Sequence, residues 1–366
     1  MKVVLDYRMF SWSGIGRYSQ GLALALARRD DLELSLICEL GATLPNELAQ
    51  LPRFEATAHP LNAKGFRELL FAVRDLDADL LHCVHISTPR PKAKVPIVTT
   101  LHDLTPLLVG GVMPSIFKRA AYSALNSRAV SDSSAIITPS QHTAADVAKF
   151  FPKSAGKITT IPLAADELLS IKPTRPKAVD CLSQSVTDLA APFILSMGNI
   201  KEHKNLSTLF AAFKEVARSQ SNINLLLVGK EPTGYLHKQI EPDLLDRVQF
   251  TGSVTDAELV WLYSNAQVFV FPSLYEGFGL PPLEAMSFGC PTVVSDAASL
   301  PEVVGDAGIK CAPLDSAGFV TAIRQVLTDA TFAQDLRERG LVKAQQFAWK
   351  KTAEATAAVY HNACKL

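Results

Sequence analysis

Short β-branched or leucine-rich runs alternate with helix-like segments along almost the whole chain, and this alternation breaks once and then restarts. "KVVLDY" leads to "YSQGLALALARR", then "LELSLICE", "FRELLFAVRDL", "ADLLHCVH", "VPIVTTLHD", "FKRAAYSALNSRAVSDS", "SAIITPS", "HTAADVAKFF" and "ITTIPLA". Strand following helix following strand predicts a parallel sheet. The strand runs are continuously apolar, as strands are when helices cover both faces. From 170 to 192 the rhythm is lost in proline, serine, threonine and charge, which marks a linker. It resumes with "PFILSMG", "NLSTLFAAFKEVARS", "INLLLVG", "RVQFTG", "TDAELVWLYSNA", "VFVFPS", "LPPLEAMSFG", "PTVVSD" and "AGFVTAIRQVLTD", so a second parallel α/β domain follows the first.

The length of 366 residues agrees with two cores rather than one. We expect domains over 1–168 and 193–345, a linker over 169–192, and a terminal helix over 346–366. That helix could pack on either lobe and is expected to return toward the first. Two lobes imply a cleft.

Lysine plus arginine equals aspartate plus glutamate at 36 each, so overall charge calls for no nucleic acid partner. The six cysteines form no C-x-x-C pair, and no signal-like segment precedes "KVVLDY", which points to a reducing cytoplasm. The longest apolar stretches are too short to span a bilayer, so membrane contact would be peripheral.

Chemistry concentrates in "YEGFGLPPLEAM", 275–286. Ligands of open parallel sheets bind beyond the carboxyl ends of the strands. Glu276 lies just past such a strand. Pro281 and Pro282 suit the first turn of a helix beginning near Leu280, which would put Glu284 in that same turn. Gly277 and Gly279 leave the backbone bare, so free amides at the helix start can meet an oxygen-rich ligand. A carboxylate accepts two hydrogen bonds from a vicinal diol. Two carboxylates bracketing amide donors therefore suit a ligand with hydroxyls at both ends and a diphosphate between, such as a nucleotide sugar. The plainer alternative for Glu284 is an acid that serves only the helix dipole.

The stretch 271–308, "FPSLYEGFGLPPLEAMSFGCPTVVSDAASLPEVVGDAG", resembles the signature of the retaining glycosyltransferases of family 4 nearly throughout, and weaker matches run along most of the chain. The resemblance implies the α/β GT-B fold, with two Rossmann-like domains facing a cleft, acceptor-side first and nucleotide-sugar-binding second. It implies that Glu276 contacts donor-sugar hydroxyls and Glu284 the ribose, with amides near Phe278, Gly279 and Leu280 on sugar or phosphates. "MGNIKEHKNLSTLFAAF" is similar to the family's diphosphate segment, making Lys204 the phosphate partner. Asn199 and His203 stand where arginine is frequent, and His203 could replace that cation if protonated. "SGIGRYSQGLA" resembles the N-terminal glycine-rich loop, with Gly14 and Gly16 approaching the phosphates. "VTTLHDLTPL" places His102 beside the donor sugar. Gly229, Lys230, Val254 and Leu259 are implied at the base.

The same resemblance, closest to bacterial O-antigen and exopolysaccharide enzymes, implies transfer of a sugar, with mannose from GDP-mannose favoured, to a glycan or lipid-linked glycan. UDP- or dTDP-sugars are the alternative donors. Neither cofactor nor metal is expected. "DAD" at 77–79 reads as a helix end or strand start rather than a metal motif. His82 and His85, three apart on a strand, do not converge on a metal unless the strand ends between them. Two readings of other classes remain: an NAD-dependent dehydrogenase, sketched by G-x-G after the first strand with Glu39 ending the second but lacking the third glycine at Ser19, and a non-catalytic carbohydrate-binding protein.

Overall fold

A computed structural model describes residues 1–89, 92–176, 192–197, 201–230 and 235–365. Asn199 and the stretch 177–191 of the expected linker lie outside the described residues. The chain divides into two compact units, Met1–Ala164 with Ala348–Leu366, and Ala165–Phe347.

The first unit carries a seven-stranded, all-parallel sheet in the order β3-β2-β1-β4-β5-β6-β7. Its strands are β1 (Lys2–Asp6), β2 (Glu33–Glu39), β3 (Arg53–Ala56), β4 (Leu80–Cys83), β5 (Ile97–Thr100), β6 (Ala135–Thr138) and β7 (Ile158–Thr160). The inner strands are buried on both faces because helices cover each side. The helix Ala63–Asp75 starts at Asn62, whose side chain accepts from Gly65 N, and packs Leu69 and Ala72 against Val4, Ile37 and Leu81. Each fully buried valine, leucine or isoleucine side chain there contributes about 1.5–3 kcal/mol, and an alanine methyl less.

The C-terminal helix, Trp349–Ala363, belongs to this unit and lies on the helix Ser13–Ala27. A Cβ at Gly21 would overlap the Trp349 indole, so the close crossing of these two helices requires glycine there. Thr352 Oγ1 also donates to Pro162 O at 2.9 Å. Asp77 and Asp79 do sit where a helix gives way to a strand. Lys2 holds both, through Nζ to Asp77 at 2.6 Å and through its backbone N to Asp79 at 2.8 Å.

The second unit carries a six-stranded, all-parallel sheet in the order β10-β9-β8-β11-β12-β13. Its strands are β8 (Phe193–Met197), β9 (Asn224–Val228), β10 (Val248–Phe250), β11 (Val268–Phe271), β12 (Thr292–Ser295) and β13 (Ile309–Cys311). The helix Leu206–Ser219 seats Leu209, Phe213 and Val216 on this sheet together with Phe319 and Ile323 of the helix Ser316–Thr328. Asp315 caps that second helix by accepting from Gly318 N.

Candidate active site

β11 is fully buried, and the chain beyond it is held by side chains remote in sequence. Asn205 donates through Nδ2 to the carbonyls of Pro272, at 3.0 Å, and Pro313, at 2.6 Å. Its own Oδ1 accepts from Thr208 Oγ1 at 2.8 Å. Leu274 N donates to His203 O at 2.7 Å, which sews the short 3₁₀ turn Glu202–Lys204 to the β11 loop. Ser299 Oγ lies 2.9 Å from Glu276 O and 2.6 Å from Phe278 O, gripping the loop from the far side. Gly279 then adopts φ +117°, and a Cβ there would stand 2.8 Å from Leu300 Cδ2. Backbone conformation and space both demand glycine at this position.

The helix Leu280–Ser287 starts directly after Gly279, with Pro281 in its first turn, where no intrahelical N–H is needed. Glu284 is therefore the fifth residue of the helix. This corrects the expectation that it lies in the first turn, where no acidic residue stands. A carboxylate that far along gains little from the helix dipole, which weakens the plain helix-start reading of Glu284. Its side chain is buried and accepts from Tyr263 OH at 2.9 Å.

The sequence treats Lys204 and Glu276 as separate ligand contacts, but the structure joins them. Lys204 Nζ donates to Glu276 Oε1 at 2.6 Å, and both side chains are 17% exposed. Nζ also stands 5.1 Å from the centre of the Phe271 ring, whose face attracts a cation. Such a pair is partly desolvated, so each partner depends on the other, and removing one leaves a poorly solvated charge. His203 is buried in the same turn. Phe278 is buried edge-to-face against Phe347, with centroids 5.9 Å apart, and Leu280 is also buried. Gly229 has φ +144° and exchanges backbone hydrogen bonds with Gly252 at 3.1 and 2.9 Å. Lys230 beside it is exposed, Val254 is half-buried and Leu259 is buried in the helix Asp256–Asn265.

In the first unit, Gly14 and Gly16 are not in a loop. The helix already begins at Ser13, which corrects the expected glycine-rich loop. Gly16 N donates to Trp12 O at 2.5 Å, and a Cβ at Gly16 would collide with the Phe10 carbonyl. Gly16 thus owes its small size to the tight turn Phe10–Gly16, whereas a Cβ at Gly14 would meet open space.

His102 follows β5 by two residues, half-buried, and its Nε2 lies 2.9 Å from Val84 O. A carbonyl only accepts, so Nε2 carries the proton and Nδ1 of the neutral ring is left as an acceptor. Burial pushes this imidazole below its ordinary pKa, against the opposing pull of the Val84 carbonyl. A cavity of about 60 Å³ is lined by His85, His102, Asp103, Thr100, Tyr122 and Ile15. Burial likewise takes His85 down to about 4, with His102 adding to the effect. His82 and His85 do not share a ligand site: His82 is bonded within the core, and no cluster of three or more metal-ligating side chains occurs among the described residues.

Neither Asn205, Ser299 nor Tyr263 announces itself in the sequence. Apart from Thr208 beside Asn205, the partners named for them lie between 21 and 108 residues away, and only folding brings them together.

Two family models match the chain: Glycosyltransferase Family 4 over residues 12–167, and Glycosyl transferases group 1 over residues 183–342. The O-antigen chain mannosyltransferase B of Escherichia coli is 30% identical over 95% of this chain and 96% of its own length. The chain belongs to glycosyltransferase family 4. The serotype-specific mannosyltransferase WbdA of E. coli is 32% identical to this glycosyltransferase over 60% of the chain but only 28% of that longer protein. Sucrose-phosphate synthase from Thermosynechococcus elongatus has the same fold, with a TM-score of 0.78 at 21% identity, covering 99% of this chain and 98% of that one. The glycosyltransferase is therefore a GT-B protein with two parallel-sheet α/β domains. Among its described residues no helix is long and apolar enough to cross a membrane.

Proposed function

We propose that this glycosyltransferase moves mannose from GDP-mannose to a glycan or lipid-linked glycan, with retention at the anomeric carbon, in cell-surface polysaccharide synthesis of the O-antigen type. The observation that carries the reading is the Lys204–Glu276 pair, held by three remote anchors at the carboxyl end of β11. A cation and a hydroxyl-binding carboxylate standing side by side match the junction of a sugar with its diphosphate. The length-spanning likeness to an O-antigen mannosyltransferase supports the choice of sugar and pathway.

In this reading Lys204 and the amides of Phe278, Gly279 and Leu280 steady the diphosphate, where negative charge grows as the anomeric C–O bond breaks. Glu276 orients the sugar hydroxyls. Glu284, fixed by Tyr263, accepts from the ribose, and Gly229, Lys230, Val254 and Leu259 border the base. His203 supports the Lys204 turn. In the first unit Gly14, at the start of its helix, offers backbone to the phosphates, Gly16, whose N–H is already given to Trp12 O, shapes the turn beneath it, and His102 presents its Nδ1 acceptor to the sugar. The acceptor oxygen attacks from the face that the diphosphate leaves. A new C–O bond forms as the old one breaks, and the acceptor's proton passes to the departing phosphate oxygen. Positive field comes from side chain and amides, so the proposal includes no metal or cofactor. A lipid-linked acceptor would put the protein at the inner face of the cytoplasmic membrane.

The test is a panel of nucleotide sugars incubated with and without lipid-linked glycan, scoring released nucleoside diphosphate. GDP-mannose should be turned over fastest, and acceptor should accelerate it. Preferential turnover of a UDP- or dTDP-sugar would overturn the donor assignment, and turnover of none would overturn the function.

A further inference from the structure

His82, Thr100, Tyr18 and Tyr360 are each no more than 1% exposed, yet all four carry polar groups. Those groups form one chain. Tyr360 OH lies 2.6 Å from His82 Nδ1, His82 Nε2 lies 2.8 Å from Thr100 Oγ1, and Thr100 Oγ1 lies 2.9 Å from Tyr18 OH. The backbone register explains how they meet. His82 pairs with Val98, so Thr100, two residues further along β5, is on the same face of the sheet. The chain then ends on His102. The Tyr18 ring is edge-on to the His102 imidazole, with centroids 4.8 Å apart and planes at 80°.

Apolar isosteres of the four residues would fill the same volume without the cost of burying polar atoms. What the polar chain adds is direction, since each hydrogen bond fixes a torsion that packing alone leaves loose. His102 then has two restraints: the Val84 carbonyl sets its tautomer, and the Tyr18 ring sets its tilt. We propose that Tyr18 is a positioning residue for His102, itself fixed from the C-terminal helix by Tyr360 through His82 and Thr100. The proposal rests on the assignment of His102 to the donor sugar. It explains why the C-terminal helix returns to the N-terminal sheet with a buried phenol, Tyr360, aimed at a histidine 278 residues earlier in the sequence.

The experiment compares Tyr18→Leu, Tyr18→Phe and Tyr360→Phe in the full-length protein by two readouts: donor-saturated kcat with donor KM, and the ¹⁵N-resolved imidazole signals of His102. Misplacing a contact group by about an ångström costs up to roughly a hundredfold. Tyr18→Leu is expected to lower kcat by about ten- to a hundredfold with donor KM nearly unchanged, and to shift and broaden the His102 imidazole signals as the ring loses its fixed tilt while the Val84 carbonyl still holds the Nε2–H tautomer. Tyr18→Phe keeps the ring and loses the hydroxyl, so it should fall between Tyr18→Leu and the parent. Tyr360→Phe, three bonds away, should shift both readouts in the same direction by less. Unchanged His102 signals in folded Tyr18→Leu, or in Tyr18→Phe should the leucine variant not fold, would overturn the proposal and leave the chain a purely structural clasp. Normal turnover by His102→Asn would instead refute the sugar assignment, and the imidazole signals would still decide the positioning.

Discussion

Acid should unfold the first unit before it affects the carboxylates, because neutral imidazoles are buried there. His82 is fully enclosed, and burial, reinforced by His102, takes its pKa from 6.5 to about 3. Between those two values the unfolded chain binds a proton that the folded one does not, so stability falls as pH falls. From pH 6 to pH 5 the native imidazole stays neutral while the unfolded one goes from mostly to almost wholly protonated. The loss for this single group is about 1 kcal/mol. His85, held down at about 4, adds a loss of similar size, and His102 shifts in the same direction, so the unit should lose at least about 2 kcal/mol over that one pH unit. Trp12 and Trp349 lie in the first unit and Trp261 in the second. In a Trp261→Phe background, tryptophan fluorescence therefore follows the first unit alone. Urea titrations at the two pH values should show the midpoint falling with the m-value constant, and a His82→Gln substitution should remove about half of the fall. Identical midpoints at pH 6 and 5 would refute the argument that these rings are buried neutral.

Other outcomes follow from the geometry. Lys204→Met should reduce turnover by about a hundred- to a thousandfold, as loss of a charge-stabilising donor does, and steady-state kinetics with the turned-over donor will check it. Gly279→Ala should destabilise the second unit by more than about 1 kcal/mol, since it meets both φ +117° and Leu300, and chemical denaturation followed through Trp261 measures the loss. Gly21→Ala should loosen the C-terminal helix by about 1–3 kcal/mol through overlap with Trp349, seen as faster amide exchange across Trp349–Ala363. Tyr263→Phe removes a hydrogen bond from buried Glu284 and should raise donor KM more than it lowers kcat.

Fold class was legible because the two periodicities of strand and helix recur along the chain, and because β11 and the helix after it carry unambiguous punctuation at Pro281 and Gly279. Two edge strands escaped that reading. β3, "RFEA", is half-exposed and polar, and β13, "IKC", is three residues long, so neither shows a continuous apolar run. The helix Ala330–Ala344 escaped as well. Its buried positions are Ala333, Leu336, Gly340 and Ala344, and such small residues leave little hydrophobic pattern. The start of the helix at Ser13 was hidden by two glycines that disfavour helix on their own, and the turn Phe10–Gly16 overrides that preference.

Local spacing in the sequence determined which elements form and which residues carry charge or bare backbone at strand ends, since a helix or strand is written in neighbours a few positions apart. It could not show that Lys204 meets Glu276 across 72 residues, that Asn205 and Ser299 hold the loop between them, or that Tyr360 bonds His82 across 278. Those pairings depend on which strands lie side by side and how closely helices cross, and such distances exist only once the sheets are assembled and packed.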